Sequence, residues 1–181
     1  MKSLKENFQK AHIVIIGAGI IGKFNALDLS ELGFQVTIID PTELQNSSYA
    51  ALGLLMGNMY QKRRGRSWDL RKQSIELWPQ WITFLQKFNC ELNIEKPLIQ
   101  LTTDEEKFKK LEKFVYENND QNLQILEKDS IFINNINKAF ETKNIKGMIS
   151  FKDGRIDALS LLKTLDKYLK HKKTINTTYY G

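Results

Sequence analysis

The chain has 181 residues, of which 41% are apolar and 10% aromatic, and its formal net charge is +6 at pH 7. This length and apolar content suit one domain, or one and part of another, and exclude intrinsic disorder. The longest apolar runs are far too short for a membrane span, the N-terminus is polar and lysine-rich, and Cys90 is the single cysteine. We therefore expect a cytoplasmic protein without a signal peptide, a disulfide or a cysteine zinc site.

The positive charge is concentrated in two segments, residues 62–73 and residues 163–173. Such segments can mark a nucleic-acid site. Most of the basic residues are lysines, however, and arginine forks, which grip phosphate better, are few. We therefore expect solvated surface and no nucleic-acid partner, and a basic RNA-associated module is retained only as a rival interpretation.

The first forty residues predict a strand–helix–strand unit. Residues 11–16 form a continuous β-branched run, which is typical of a strand buried on both faces of a parallel sheet. Residues 20–32 place apolar side chains at helical spacing, and Gly33 follows where a helix ends. Residues 35–39 form a second β-branched run, so a right-handed βαβ crossover is expected.

The rest of the chain predicts alternating elements. Residues 41–66 are irregular and long enough for a functional loop. A helix follows from Ser67, with a kink or break expected near Trp78 because Pro79 lies inside it. The remaining predictions are a strand at 98–102, a capping box at Thr103–Glu106 opening a helix, a strand at 145–151, a helix capped by Asp157, and a strand at 174–180.

A G-x-G-x-x-G motif stands between the first strand and its helix, in the residues Gly17, Ala18, Gly19, Ile20, Ile21 and Gly22. In this context the glycines allow a tight turn, a close approach of pyrophosphate, and close packing of helix on strand. Asp40 ends the second strand, where a carboxylate can accept both ribose hydroxyls of an adenosine. The motif therefore predicts dinucleotide binding. The acidic residue argues against NADP, but the motif does not separate NAD from FAD.

The loop after Asp40 runs Ser47-Ser48-Tyr49-Ala50-Ala51-Leu52-Gly53-Leu54-Leu55. Its hydroxyls can bond to phosphate oxygens, and its apolar pair can lie against a flat ring system. With this loop, Ser74–Pro79 and Asp153-Gly154-Arg155-Ile156-Asp157, the sequence resembles the FAD-dependent amino-acid oxidoreductases of the D-amino-acid oxidase/glycine oxidase type. The resemblance runs over nearly all of the chain.

The resemblance implies an FAD flavoprotein that oxidises a primary or secondary amino acid by hydride transfer to the flavin, with glycine or a D-amino acid as substrate. The implied fold is α/β, a Rossmann-like FAD-binding βαβ unit with part of a second α+β substrate domain. The implied segments are an FAD-binding portion at 1–80, a partial substrate or cap domain at 81–150, and a return segment at 151–181. Cofactor-binding residues are expected at Gly17, Ala18, Gly19, Ile20, Ile21, Gly22, Asp40, Pro41, Ser47, Ser48, Leu52, Gly53 and Leu54.

Family members of this type are substantially longer, so the chain is expected to be the N-terminal half of such a fold. The missing half would supply the basic residue that holds the substrate carboxylate, and a second polypeptide or a homo-oligomer could provide it. No catalytic residue is assigned, and no Ser/His/Asp set, metal-ligand spacing or P-loop lysine is visible. The alternatives are a non-catalytic dinucleotide-binding remnant and an NAD-binding Rossmann protein.

Overall fold

The computed structural model describes residues 11–41, 47–127, 130–140 and 145–180. The lysine-rich N-terminal segment and residues 42–46 of the predicted irregular loop lie outside the described residues. The elements, in chain order, are β1 (His12–Ile16), α1 (Ile20–Glu31), β2 (Gln35–Pro41), β3 (Leu54–Leu55), α2 (Arg66–Leu85), β4 (Leu98–Thr102), α3 (Glu105–Asn118), β5 (Leu123–Leu126), α4 (Ile131–Phe140), β6 (Lys146–Ser150), β7 (Gly154–Arg155), α5 (Ala158–His171) and β8 (Ile175–Tyr180). The chain forms two compact units, the first from residues 1–53, 80–93 and 157–181 and the second from residues 54–79 and 94–156.

The first unit is built on a parallel sheet with the strand order β1-β2-β8. The helices α1 and α5 pack against each other, and α1 lies on the sheet face of Ile15, which the nearby backbone of Gly22 approaches. Val36 and Ile38 share this face in register with β1 and are fully buried. The predicted βαβ unit is therefore confirmed, and β8 adds a third parallel strand.

The prediction that β1 is buried on both faces is wrong. Its residues alternate in exposure, and Val14 and Ile16 on the face opposite α1 are 52% and 87% exposed. The strand lies at the edge of the sheet formed by the described strands, and α1 covers the face of Ile13 and Ile15. A β-branched run fixes the strand but does not report how many faces are covered.

The second unit contains an antiparallel sheet with the strand order β4-β6-β5 and a short β3–β7 pair. The helix α3 packs on this sheet through Phe108, Leu111 and Val115, which are buried. Two buried clusters form the core, and their members are Met59, Leu111, Val115, Leu123 and Met148 in one and Leu126, Ile133, Ile145 and Ile149 in the other.

Two helix starts and one internal proline test the predicted helix boundaries. Asp157 caps α5 by accepting the N–H of Ser160 at 2.6 Å, as expected. At α3 the cap is Asp104, one residue later than Thr103, because its carboxylate accepts the N–H groups of Glu106 and Lys107. The break expected near Trp78 is absent, since α2 continues through Pro79.

Candidate dinucleotide-binding site

The turn between β1 and α1 has a backbone that only glycine fits well. Gly17 has φ +103°, in the region that favours glycine. Its N–H donates to the Ile39 carbonyl at 2.7 Å, which ties the turn to β2. A Cβ on Gly22 would stand 1.9 Å from the Gly17 carbonyl oxygen, so α1 reaches its packing distance only without a side chain there. Two of the three motif glycines therefore have the structural roles predicted for them.

Asp40 stands at the carboxyl end of β2, beside the turn. Its Oδ1 accepts the Ala18 N–H at 2.7 Å across 22 residues of sequence. This bond orients the carboxylate against the glycine turn. The second carboxylate oxygen, Oδ2, takes no part in the bond and can accept a hydrogen bond from a hydroxyl. A carboxylate in this position suits a ribose diol.

Ser48 reaches the N-terminus of α1. Its Oγ accepts the Ile20 N–H at 2.9 Å, which satisfies one of the N–H groups that a helix leaves without an intrahelical partner. The same oxygen would lie 3.1 Å from a Cβ on Gly19. The structure thus places a hydroxyl, a bare glycine backbone and the positive end of a helix dipole at one point, which is the arrangement that binds phosphate.

An ion pair between a buried lysine and a partly exposed aspartate, which the sequence did not reveal, supports this region. Lys23 follows the motif on α1 and is 2% exposed, and its Nζ lies 2.6 Å from Asp166 Oδ1 on α5. Tyr49 of the Ser48 loop lies in the same electrostatic field, since burial raises the pKa of its phenol and the Asp166 and Asp40 carboxylates raise it further. Lys23 and Asp166 are 143 residues apart in the sequence, so no local pattern could have identified the pair.

The structure ties the other predicted site residues less closely to the glycine turn. Ala18 is buried, whereas Ile21 and Leu52 are 76% and 72% exposed, and Ser47 and Pro41 are also exposed. Gly53 has φ +70°, and Leu54 begins β3 in the second unit. The structure therefore brings together Gly17 to Gly22, Asp40 and Ser48, and the cofactor contacts of the remaining residues stay predictions.

Asp153, the first residue of the Asp153-Gly154-Arg155-Ile156-Asp157 segment, organises a turn of the second unit. It is fully buried in the second unit and accepts the N–H groups of Gly57, Asn58 and Met59 at 2.7–2.9 Å. The carboxylate therefore fixes the segment that follows β3. The glycine after it in the sequence is also required, because a Cβ on Gly154 would lie 2.4 Å from the Glu95 carbonyl oxygen.

These features define a dinucleotide-binding α/β unit: a parallel β1-β2-β8 sheet, a glycine turn into a helix, and an acidic residue ending the second strand. A family model described as "FAD dependent oxidoreductase" (DAO) matches residues 12–173, and the chain belongs to this family. FAD is the cofactor of that family, as the sequence predicted. No curated protein matches the chain significantly by sequence.

Solved structures of similar fold agree with this assignment. Iminodiacetate oxidase from Chelativorans sp. BNC1 superposes with a TM-score of 0.74 at 18% identity, over 92% of this chain and 46% of that one. Glycine oxidase from Bacillus cereus ATCC 14579 gives 0.74 at 21% identity, over 94% and 46%. Glycine oxidase from Geobacillus kaustophilus gives 0.72 at 23% identity, over 93% and 46%. The chain thus spans about half the length of these structures. No helix among the described residues is long and apolar enough to cross a membrane.

Proposed function

We propose that this chain is the FAD-binding N-terminal portion of an oxidoreductase that acts on a small amino acid, with glycine or a D-amino acid as the favoured substrate. The support is membership of the FAD-dependent family together with the likeness in fold to proteins named as glycine oxidases and iminodiacetate oxidase. When bound, the flavin accepts the hydride, and the protein contributes binding and orientation.

The observation that carries the proposal is the meeting of three groups at the start of α1. Gly17, Gly19 and Gly22 supply positions without a side chain, Ser48 supplies a hydroxyl at the Ile20 N–H, and Asp40 supplies a carboxylate anchored on Ala18. We assign the pyrophosphate to the helix end and the adenosine ribose to Asp40. Pro41, Ser47, Leu52, Gly53 and Leu54 are proposed to line the rest of the cofactor.

The basic residue that would hold the substrate carboxylate is proposed to lie in the part of the fold that this chain does not span, since the chain covers 46% of the similar oxidases. A second polypeptide or another copy of the chain is one proposed source of those residues. In the proposed division, residues 1–80 and 151–181 belong to the FAD-binding part and residues 81–150 to the substrate part. A cytoplasmic location also remains a prediction, as does the absence of a nucleic-acid partner. The alternative function is a dinucleotide-binding chain that does not turn over substrate.

Flavin binding tests the proposal. Purified chain is titrated with FAD, following quenching of flavin fluorescence and the shift of the flavin absorption bands. Asp40→Asn keeps an acceptor for the Ala18 N–H but loses the charge offered to the ribose. Loss of charged hydrogen bonds worth about 1.5–3 kcal/mol predicts an affinity roughly 10- to 100-fold lower.

Asp28→Asn is the matched control, because Asp28 is an exposed carboxylate on α1 of the same unit. Unchanged FAD affinity in Asp40→Asn would refute the ribose assignment, and tighter binding of NADH than of FAD would replace the flavin with a nicotinamide cofactor. Peroxide release on addition of glycine then separates an active oxidase from a chain that only binds the cofactor.

A further inference from the structure

Arg71 in the second unit has a guanidinium group that the described residues use only in part. Its Cζ lies 4.0 Å from the ring centroid of Tyr60, so the cation stacks on the aromatic face. One nitrogen, Nη1, donates to the Met56 carbonyl oxygen at 2.8 Å. Nε is buried and has no hydrogen-bond partner within the described part of the chain. The edge formed by Nε and Nη2 therefore retains donor capacity.

A second buried donor lies in the segment that Arg71 contacts. Asn58 Nδ2 is buried and likewise finds no partner among the described residues. Asn58 stands between Met56 and Tyr60 in a turn closed by the Tyr60 N–H on the Gly57 carbonyl oxygen at 3.1 Å. Buried donors are almost always paired, so two unpaired ones in one locality require an explanation.

This turn is rigid enough to hold a ligand group in place. Asp153 accepts three consecutive N–H groups from it, including that of Asn58. The Asn58 carbonyl oxygen accepts from Arg63 Nη2 at 2.6 Å. The main chain of Asn58 is therefore fixed on both sides, while its side-chain amide remains available.

The neighbouring arginine is already committed. The Arg63 guanidinium lies over the rings of Trp68 and Phe114, at 5.4 and 5.0 Å from their centroids. It also donates to the Tyr60 and Asn58 carbonyl oxygens and to the side chain of Asn118. Arg63 and Arg71 both lack an ion pair with a carboxylate of the described residues, but only Arg71 has a buried donor without a partner there. Arg71 is therefore the arginine at this place that keeps donor capacity for a ligand.

We propose that the Nε–Nη2 edge of Arg71, together with Asn58 Nδ2, binds the carboxylate of a small molecule. Two parallel N–H groups on a planar cation match the two oxygens of a carboxylate, and Arg71 Nε and Asn58 Nδ2 both lack a partner within the described residues. The site lies wholly in the second unit, and its occupation can be measured without FAD.

Acetate is the probe, and the titration is carried out on the full chain without FAD, so its result is separate from that of the flavin test. The signals followed are the Arg71 Nε–Hε group and the Asn58 backbone and side-chain amides in nitrogen-15 NMR, at constant ionic strength set by sodium chloride. The site predicts a saturable shift of all three with acetate. No saturable shift, or the same shift with sulfate, overturns the carboxylate assignment.

Variants separate a binding site from a structural arginine. Arg71→Lys keeps the charge but loses the fork, and the expected result is at least a tenfold loss of acetate affinity, read on the Asn58 backbone amide. Arg66→Lys makes the same change at an exposed arginine of α2 and should leave affinity unchanged. Asn58→Ala should weaken acetate binding while the unfolding midpoint stays the same, because its Nδ2 has no partner within the described residues. Unchanged acetate affinity in Arg71→Lys or in Asn58→Ala overturns the proposal.

Discussion

The glycine motif has a packing role and a cofactor-binding role, and the variants Gly22→Ala and Gly19→Ala separate the two. In Gly22→Ala the new Cβ would lie 1.9 Å from the Gly17 carbonyl oxygen, a contact with backbone that side-chain rotation cannot relieve. Moving that carbonyl also strains the 2.7 Å bond from the Gly17 N–H to Ile39. Overpacking costs about 1–3 kcal/mol and a lost hydrogen bond about 1 kcal/mol, so we expect the first unit to lose about 3 kcal/mol of stability.

Gly19→Ala meets a much softer obstacle. Its Cβ would lie 3.1 Å from Ser48 Oγ, the end of a side chain that can rotate. The backbone of Gly19, at φ −69° and ψ 179°, is one that alanine adopts readily. We expect a stability change below about 1 kcal/mol. The added methyl group nevertheless occupies the approach to the helix end, so FAD affinity should fall by about tenfold or more, which is about 1.4 kcal/mol.

The two variants are compared by urea unfolding, by hydrogen exchange of the β1 and β2 amides, and by FAD titration. Asn25→Ala, at an exposed position of α1, serves as the control and should change neither property. Wild-type protection of β1 in Gly22→Ala would refute the packing argument. Full FAD affinity in Gly19→Ala would refute the placement of the pyrophosphate.

Three further changes test other parts of the structure. Asp153→Asn should lower the stability of the second unit by about 3 kcal/mol, because buried N–H groups lose a charged acceptor; normal exchange protection of β4, β5 and β6 would contradict this. In urea unfolding, Asp166→Asn should lower the stability more than Lys23→Met does. Asp166→Asn leaves the almost fully buried Lys23 ammonium unpaired, whereas in Lys23→Met the remaining Asp166 carboxylate keeps access to solvent. The reverse order of the two variants would show that the pair is not desolvated. Hydrogen bonds from Lys172 and Tyr168 lower the pKa of Glu31, so its stabilising effect should be present above about pH 4.5 and disappear as the pH falls through the lower folded pKa. Melting curves of Glu31→Gln should therefore converge with the wild type in acid, and a constant gap would contradict the linkage.

Local patterns predicted the parts of the fold that depend on neighbours in sequence. The glycine motif between two β-branched runs identified β1, α1 and β2, and Asp157 was correctly expected to cap α5. The apolar residues Leu161, Leu165 and Tyr168 of this helix are spaced to share one face, and they are buried. In each case the signal lies within one or two turns of the element that it specifies.

The features that the sequence did not predict depend mostly on contacts between residues far apart in the chain. Asp153 looks like a turn residue until the fold brings it to Gly57–Met59, 94–96 residues away. Pro79 predicted a kink or a break in α2. The break is absent, since the helix continues and buries Ile82 and Leu85 beyond Pro79; tertiary packing can outweigh a lost helical hydrogen bond. The strand β5 and the helix α4 were not predicted at all, since β5 has only four residues and short apolar runs do not separate strand from loop.

The central claim is that FAD binds at the start of α1, and the amides of Ala18 and Ile20 report on it directly. The Ala18 N–H is held by Asp40 and the Ile20 N–H by Ser48, so a pyrophosphate and ribose arriving there must change both environments. In nitrogen-15 NMR, FAD and ADP should shift these two amides saturably, with the same midpoint as the fluorescence titration. FAD binding that leaves both amides unmoved while shifting signals elsewhere would contradict the account.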